Sequence, residues 1–325
     1  MEGNGAALLP SLADHHLHLF ALAAKTNSLQ CGPPDIDSGD EFIALLAAQT
    51  TGSGWLRGIG YHESVAGLVD RQWLDKYGPE RPIRIQHRGG RLWILNTLAV
   101  DVLRRDHGKD LPVGLDIEQG HLFDEDLWLR HALGGQPPDL SEVSRVLASF
   151  GVSCVTDMTP QNDMQTAELF RKQQAQGKLL QRVLMAGVES LDFVAQRKAL
   201  QNDKQLDTML GIGPYKVHLH EAQLPDFSEL CRAISTSHSC QRPIAVHCVT
   251  EVELVFALAA LKESGAIAGD RIEHASVTPP ELMSQIKALG LLVVTQPNFV
   301  SERGDQYLND VESREVPWLY RCRSL

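Results

Sequence analysis

Two histidines near the start of the chain have a spacing that suits metal binding. His16 and His18 stand two residues apart in a stretch, residues 8–19, that is predicted to be a buried strand. Because side chains on a strand alternate between its faces, both imidazoles project to the same side. Divalent metals bind imidazole nitrogen at about 2.0–2.2 Å, and a rigid strand holds two such ligands with little reorganisation. A polar strand end that faces water would show the same pattern. A metal site would require further ligands from elsewhere in the chain.

The composition is that of a globular protein without the marks of nucleic-acid or membrane binding. Of the 325 residues, 43% are apolar and 22% are charged, which is ordinary for such proteins. The net charge of −11 opposes binding to phosphate backbones, which depends on clustered Lys and Arg. We expect a cytoplasmic protein, because the sequence has no secretory signal and no apolar run near the ~18 residues that span a bilayer. The six cysteines form no Cys-x-x-Cys pair and are expected to be reduced thiols.

From residue 139 onward, short apolar strands alternate with amphipathic helices. This alternation predicts a parallel sheet buried on both faces, either open or closed into a barrel. Polar side chains cluster at the C-terminal ends of the predicted strands, as in a TIM barrel, and no glycine-rich phosphate turn follows residue 19, so the barrel is favoured. The predicted strands are 151–157, 182–186, 215–220, 243–248, 271–274 and 291–296, and the predicted helices are 164–177, 190–202, 226–238, 251–264 and 279–289.

Residues 20–138 are a long insertion between the first and second strands of this pattern. Within the insertion we predict strands at 54–61 and 81–87 and a helix over 93–104. Several of its residues would suit either a substrate pocket or the core of a small subdomain, and the sequence leaves both interpretations open. These residues are Trp55, Tyr61, His62, Trp93 and Asn96.

A set of motifs, each at the end of a predicted strand, resembles one enzyme superfamily. The motifs are His16-x-His18, Lys216 in residues 213–216, His247 in 246–250 and His274 in 271–275. Each motif is common alone, but the whole set in this order resembles the metal-dependent amidohydrolase superfamily. Residues 86–88, 92–96 and 295–297 resemble its amidohydrolase family 3, the YtcJ-like branch, so the likeness covers nearly the whole chain.

The resemblance implies a single catalytic barrel domain over residues 1–325 that cleaves C–N bonds of the non-peptide amide type in small molecules with metal-activated water. In such enzymes the histidines of strand one hold the first metal, and a strand-four lysine, often carboxylated, bridges two metals. Histidines of strands five and six hold the second metal. The matching metal ligands are His16, His18, Lys216, His247 and His274, with one or two ions of zinc as the expected cofactor. Carboxylation would turn the Lys216 ammonium into an oxygen ligand, and a salt-bridged, unmodified lysine is the alternative.

Two departures from the family pattern leave two functions open. Relatives have an eighth strand whose aspartate is the general base and a small flanking β-sandwich, and neither is recognisable in this sequence. We therefore expect a (β/α)8-type barrel that lacks its last βα unit, with unpaired outer strands that favour association with a second copy. The catalytic base is unassigned, because Asp157 more simply caps the turn that follows it and His220 is favoured as a rim residue over an extra ligand. The chain is then either a hydrolase or a truncated amidohydrolase-like chain that binds metal without catalysis.

Overall fold

The computed structural model describes residues 9–26, 28–50, 54–134, 137–195 and 209–324. Two units are formed, one from Met1–Leu19 with Asp139–Leu325 and the other from Phe20–Pro138. The strands are β1 (Leu12–Leu17), β2 (Leu29–Gln30), β3 (Leu56–Tyr61), β4 (Ile83–His87), β5 (Leu92–Leu95), β6 (Leu115–Asp116), β7 (His121–Phe123), β8 (Val152–Asp157), β9 (Arg182–Gly187), β10 (Leu210–His218), β11 (Ile244–Cys248), β12 (Arg271–His274) and β13 (Leu292–Val294). The helices are α1 (Leu19–Thr26), α2 (Gly39–Ala47), α3 (Glu63–Ala66), α4 (Arg71–Tyr77), α5 (Thr97–His107), α6 (Asp126–Ala132), α7 (Ser141–Ser149), α8 (Met164–Ala175), α9 (Phe227–Ser239), α10 (Glu251–Ser264), α11 (Pro280–Ala288) and α12 (Asn298–Asp310). Within these described ranges, no helix has the length and apolar character needed to cross a membrane.

The first unit is built on a seven-stranded sheet in which every pairing is parallel. The strands lie in the order β1-β8-β9-β10-β11-β12-β13. Arg271 on β12, five places from β1 in this order, donates from Nη2 to the carbonyl oxygen of His15 on β1 over 3.0 Å. Such a contact requires the sheet to curl around its axis. The result is the nearly closed parallel barrel that the βα alternation predicts.

Helices on the outside of the barrel bury their apolar faces against the strands. Ile234 of α9, Leu258 of α10 and Ile272 of β12 belong to one buried cluster. The helices predicted at 164–177, 226–238, 251–264 and 279–289 are confirmed as α8, α9, α10 and α11, with bounds that differ by at most two residues. The helix predicted over 190–202 lies mostly outside the described residues.

The first strand is shorter and less buried than the sequence predicts. β1 runs over Leu12–Leu17 rather than 8–19, residue 8 lies outside the described residues, and no residue of β1 is fully buried. The physical reason is its position, because β1 is an outer strand of the sheet and, within the described residues, pairs with β8 alone. Helix α1 already begins at Leu19, so His18 lies just beyond the strand rather than within it.

The second unit is built on a six-stranded sheet with the order β2-β3-β4-β5-β7-β6. Its first three strands are parallel and the others antiparallel. The helix predicted over 93–104 is wrong at its start, because Trp93 belongs to strand β5 and α5 begins at Thr97. Asn96 caps that helix, since its Oδ1 accepts the backbone N–H groups of Ala99 and Ile83, both over 2.9 Å.

Most of the insertion residues that the sequence left open are part of its packed core. Trp93 is 2% exposed and shares a buried cluster with Trp55. Tyr61 lies in a second cluster beside the Phe42 ring, with 5.3 Å between the ring centroids. Asn96 is buried as the helix cap. These four residues thus fit the subdomain-core interpretation, whereas His62 lies at the end of β3.

A buried guanidinium fastens three segments of the barrel together. Arg242 is 1% exposed and precedes β11. It donates to four backbone carbonyl oxygens and forms an ion pair with a carboxylate. The acceptors are Gly213 (2.9 Å), Pro214 (3.0 Å), Gly187 (3.1 Å), Val188 (2.8 Å) and Oδ1 of Asp192 (2.7 Å).

We expect Arg242→Met to lower the free energy of unfolding by about 3–5 kcal/mol, because it leaves a buried carboxylate without its partner. Urea denaturation measures the change. Arg232→Met, at an exposed position of α9, is the matched control and should change the value by less than about 0.5 kcal/mol. Equal midpoints for the two variants would contradict this account of the barrel.

Candidate metal centre

Four imidazoles meet at the C-terminal end of the barrel strands. His16 lies near the end of β1, and His18 follows that strand. His247 is the last residue but one of β11, and His274 ends β12. The ring centroid of His16 lies 5.4 Å from that of His18 and 4.7 Å from that of His274, and His247 and His274 are 4.5 Å apart. The structure thus brings together the histidines that the sequence singles out as ligands.

Lys216, the fifth predicted ligand, points into the same barrel from β10. It is 5% exposed, and its Nζ has no hydrogen-bond partner within the described residues. Burial lowers the pKa of Lys216 to about 8, against the opposing effect of the Glu273 charge. Burial of an amine without a hydrogen-bond partner costs free energy. The position of Lys216 beside the imidazoles therefore suits a side chain that gains a partner when the site is occupied.

Three of the four imidazoles are held at Nδ1 by an oxygen atom. The pairs are His16 with Oε2 of Glu273, His18 with Oγ1 of Thr159 (3.0 Å) and His274 with Oε1 of Gln296 (2.6 Å). Carboxylate and amide oxygens only accept, so Nδ1 of His16 and of His274 carries the proton and Nε2 keeps its lone pair. This is the tautomer in which imidazole binds metal through Nε2.

Burial also keeps three of the rings uncharged near neutral pH. It lowers the pKa of His18 to about 4 and that of His274 to about 4. For His247, burial and then the charge of protonated His274 lower the pKa to about 2. Neutral imidazole is the form that binds a metal, so the site is ready for one without releasing protons from these rings.

Local features of the sequence fix the strand ends that carry His247 and His274. A capping box begins α10 directly after β11, with Glu253 N–H donating to Thr250 Oγ1 (3.2 Å) and Thr250 N–H to Glu253 Oε2 (3.3 Å). His274 and Ala275 have φ values of +70° and +48°, in the left-handed region that side chains rarely adopt. Such backbone strain is typical of functional sites, and here it turns the chain at the residue that carries an imidazole.

Asp157 and His220 both accept hydrogen bonds from nearby groups of the protein. Asp157 is buried and accepts the N–H of Leu19 (2.7 Å), the N–H of Thr159 (3.1 Å) and Nδ2 of Asn162 (2.7 Å). The capping role that the sequence favours for Asp157 therefore agrees with its contacts. His220 is exposed, and its Nδ1 accepts the N–H of Ala222 over 3.3 Å.

A second histidine group lies at the strand ends of the insertion. Among the described residues, one group of three has all its ligand atoms within 4.8 Å of one another, and it is His62, Glu63 and His87 rather than the strand-end set of the barrel. However, Nδ1 of His62 accepts the N–H of Ser64 (3.2 Å) and Nδ1 of His87 accepts the N–H of Gly89 (3.0 Å). Both Nε2 atoms then carry the proton, and His87 donates it to Glu63 over 3.1 Å. Neither ring of this group therefore offers a lone pair to a metal, whereas Nε2 of His16 and of His274 in the barrel does.

Glu273 and Gln296 lie inside the sequence motifs, but the motifs alone indicate no role for them. Arg271 and Glu273 are two residues apart in a strand that is buried throughout, so their side chains lie on the same face. Two opposite charges in such a strand indicate an ion pair inside the barrel. Their ion pair joins Arg271 Nε and Glu273 Oε1 over 2.5 Å. Although burial raises the pKa of Glu273, the hydrogen bond from His16 and the charges of Arg271 and Lys216 hold it below the usual value, so Glu273 is a carboxylate. His218, which stacks on His247 with centroids 4.2 Å apart, was also without an assigned role.

The barrel has the fold of known metal-dependent hydrolases. It matches the crystal structure of an uncharacterized metal-dependent hydrolase from Pyrococcus horikoshii with a TM-score of 0.74 and 19% identity, over 97% of this chain and 68% of that one. A metal-dependent hydrolase from Pyrococcus furiosus matches with a TM-score of 0.71 and 20% identity, over 97% of this chain and 70% of that one.

The sequence places the chain in a particular family. The model of the amidohydrolase family matches residues 3–325, and the chain belongs to this family. A putative amidohydrolase of Bacillus subtilis, YtcJ, is 23% identical over 345 residues, which cover 92% of this chain and 64% of that protein. The N-substituted formamide deformylase of Arthrobacter pascens is 24% identical over 125 residues, or 37% of this chain and 23% of that protein. The chain thus spans less than two thirds of the length of these curated relatives. The family match confirms the resemblance that the sequence motifs indicate.

We expect the metal-free chain to lose stability when the pH falls from 6.5 to 5. The unfolded chain binds protons at His18, His247 and His274 near their ordinary pKa of about 6.5, whereas the folded chain does not. Protonation therefore favours the unfolded state in this window, and most carboxylates are still charged there. Urea midpoints measured across the window test the effect. His247→Gln should reduce the decline by roughly a third, and His131→Gln, at an exposed position, should leave it unchanged.

Midpoints that stay constant from pH 6.5 to 5 in the wild-type chain would contradict the burial of neutral imidazoles at the strand ends.

Proposed function

We propose that the chain forms the metal-binding barrel of a hydrolase that cleaves C–N bonds of the non-peptide amide type in small molecules. The observation that carries the proposal is the set of Nδ1 contacts at the strand ends. His16 and His274 are fixed as the tautomer with a free Nε2, and their rings lie 4.7 Å apart. A strand end that merely faces water would not need oxygen acceptors behind its imidazoles, and the Glu273 carboxylate behind His16 is fully buried.

The donor set fits a transition metal, and zinc is the ion that we propose. Neutral imidazoles bind zinc, iron, copper and nickel, whereas magnesium and calcium prefer oxygen ligands. We infer that His16, His18, His247 and His274 hold the ion or ions. A divalent ion supplies two effects when bound, because it lowers the pKa of a coordinated water and polarises a carbonyl group.

Lys216 is proposed as the bridging ligand in its carboxylated form. Carboxylation needs a neutral amine, and a pKa of about 8 makes that form accessible near neutral pH. The Nζ is buried without a hydrogen-bond partner in the described part of the chain. A carbamate there would add oxygen ligands to an otherwise nitrogen-only site.

The chain's own residues would orient the reaction. Glu273, Thr159 and Gln296 contact Nδ1 of His16, His18 and His274, and these contacts restrict the orientation of the three rings. His274 is buried and His18 and His247 are half-buried, and this burial lowers the pKa values of all three rings. Asp157 takes no part as a base in this proposal, because its oxygens already accept three hydrogen bonds.

Names of relatives suggest a first panel of substrates. The A. pascens relative is named for N-substituted formamides, and that similarity covers 37% of this chain. We propose simple N-substituted formamides and p-nitroanilides as probes of C–N hydrolysis. Both classes have a polarisable carbonyl and an amine leaving group, which the proposed chemistry requires.

We expect the chain, reconstituted with Zn²⁺ and passed through a desalting column, to retain about one or two zinc ions per chain. His16→Ala and His247→Ala should each remove at least about half of the bound zinc, because each deletes one of few ligands. Metal content is measured by mass spectrometry, and hydrolysis of the probes with and without a chelator is followed in parallel. His131→Ala is the matched control, since His131 is exposed and stands outside the barrel unit.

Zinc content unchanged by both substitutions would refute the ligand assignment. Zinc binding without hydrolysis of any probe would instead support the alternative of a metal-binding chain without catalysis.

A further inference from the structure

Glu273 lies behind the His16 imidazole, at its Nδ1 atom. Its side chain is 0% exposed, and its two oxygens have different partners. Oε1 forms an ion pair with Arg271 Nε at 2.5 Å, and Oε2 contacts Nδ1 of His16. The carboxylate thus uses one oxygen to anchor itself and the other to hold a predicted ligand.

Arg271 in turn contacts β1 and the residue that follows β8. Its Nη2 donates to the carbonyl oxygen of His15 (3.0 Å) and to Sδ of Met158 (2.8 Å). His15 precedes His16 in the chain, so the backbone and the side chain of this segment are held by one ion pair. Glu273 therefore cannot turn away from His16 without breaking its ion pair with Arg271.

We infer that Glu273 is a positioning residue that sets the tautomer of His16. It thereby controls metal affinity at the barrel mouth, which is the C-terminal end of the barrel strands. The inference rests on the proposed function. A carboxylate accepts at both oxygens, so it serves Arg271 and His16 together. The proton on Nδ1 leaves a free lone pair on Nε2 of His16, whose ring centroid lies 4.7 Å from that of His274.

Replacement of the carboxylate by an amide should reverse this tautomer. Glutamine has the same shape but a single oxygen, and its NH₂ group only donates. Arg271 has no lone pair and requires the oxygen, so the NH₂ of Glu273→Gln faces Nδ1 of His16. Nδ1 then becomes the acceptor, the proton moves to Nε2, and the lone pair that would bind metal is lost.

The tautomer is read directly in the metal-free chain labelled with ¹⁵N-histidine. We expect His16 to show a protonated Nδ1 and an unprotonated Nε2 in the wild type, and the reverse in Glu273→Gln, with His16→Gln assigning the signals. Glu253→Gln, another buried Glu-to-Gln change, is the matched control and should leave the His16 signals unchanged. Identical His16 signals in the wild type and Glu273→Gln would overturn the inference.

Zinc affinity, measured by competition with a chromophoric chelator, provides the second readout. Glu273→Gln should weaken zinc binding by about 10–100-fold, the usual effect of removing the group behind a ligating imidazole. The double variant Arg271→Met, Glu273→Gln should recover most of this loss, because the amide oxygen is then free to accept from His16. A role of Glu273 in folding alone would give no such recovery, and the absence of recovery in a folded double variant would overturn the inference.

The outcomes separate this inference from the proposed function. If the wild type binds no zinc, the proposed metal centre fails while the tautomer measurement still tests Glu273. If the wild type binds zinc and Glu273→Gln binds it equally well, the metal centre stands and the role of Glu273 is refuted.

Discussion

The ion pair between Arg271 and Glu273 connects the sixth strand of the barrel sheet to the first. Both side chains are buried, and a buried charge is tolerated only when it is paired and hydrogen-bonded. The Arg271 guanidinium reaches the backbone of β1 at His15, and the Glu273 carboxylate reaches the His16 ring. The sheet must curl for these contacts to form, and the same curl brings the imidazoles of separate strands to one end of the barrel. One ion pair therefore contributes both to the closure of the sheet and to the position of His16.

Two histidine groups of this chain differ in the side of the ring that their surroundings occupy. At the barrel mouth, oxygens accept from Nδ1 and leave Nε2 available, as at His274 and Gln296. In the insertion, backbone N–H groups donate to Nδ1, so the proton of His87 lies on Nε2 and goes to Glu63. The distances alone favour the insertion group, whose ligand atoms are closer together. The hydrogen-bond chemistry favours the barrel group, since a metal needs a lone pair and not merely a short spacing.

The regular part of the fold could be predicted from the sequence because each strand and helix there is buried in the same way. Strands paired on both sides, such as β11 and β12, appear as short apolar runs at the predicted residues. Outer strand β1 is an exception, because a strand with one neighbour is partly exposed and its apolar pattern extends into α1. Residues 93–95 were predicted as helix for a related reason, since three buried residues in a row fit either a helix or a central strand.

The predicted ligands could be named from motifs, whereas the groups behind them could not. His16 and Glu273 are 257 residues apart in the chain, and their contact exists only after the barrel has closed. Lys216 was named from its motif, but its lack of a hydrogen-bond partner within the described residues depends on the packing of the whole barrel interior. Spacing within a strand is local information, and the tautomer of an imidazole is set by whatever the fold places beside it.

Zinc-edge anomalous diffraction from crystals grown with Zn²⁺ tests the metal centre most directly. Our account predicts an anomalous peak at the C-terminal end of the barrel strands, at about 2.0–2.1 Å from Nε2 of the ligating histidines, with Nδ1 of His16 still directed at Glu273. A peak between His62, Glu63 and His87, with no density at the barrel mouth, would contradict it.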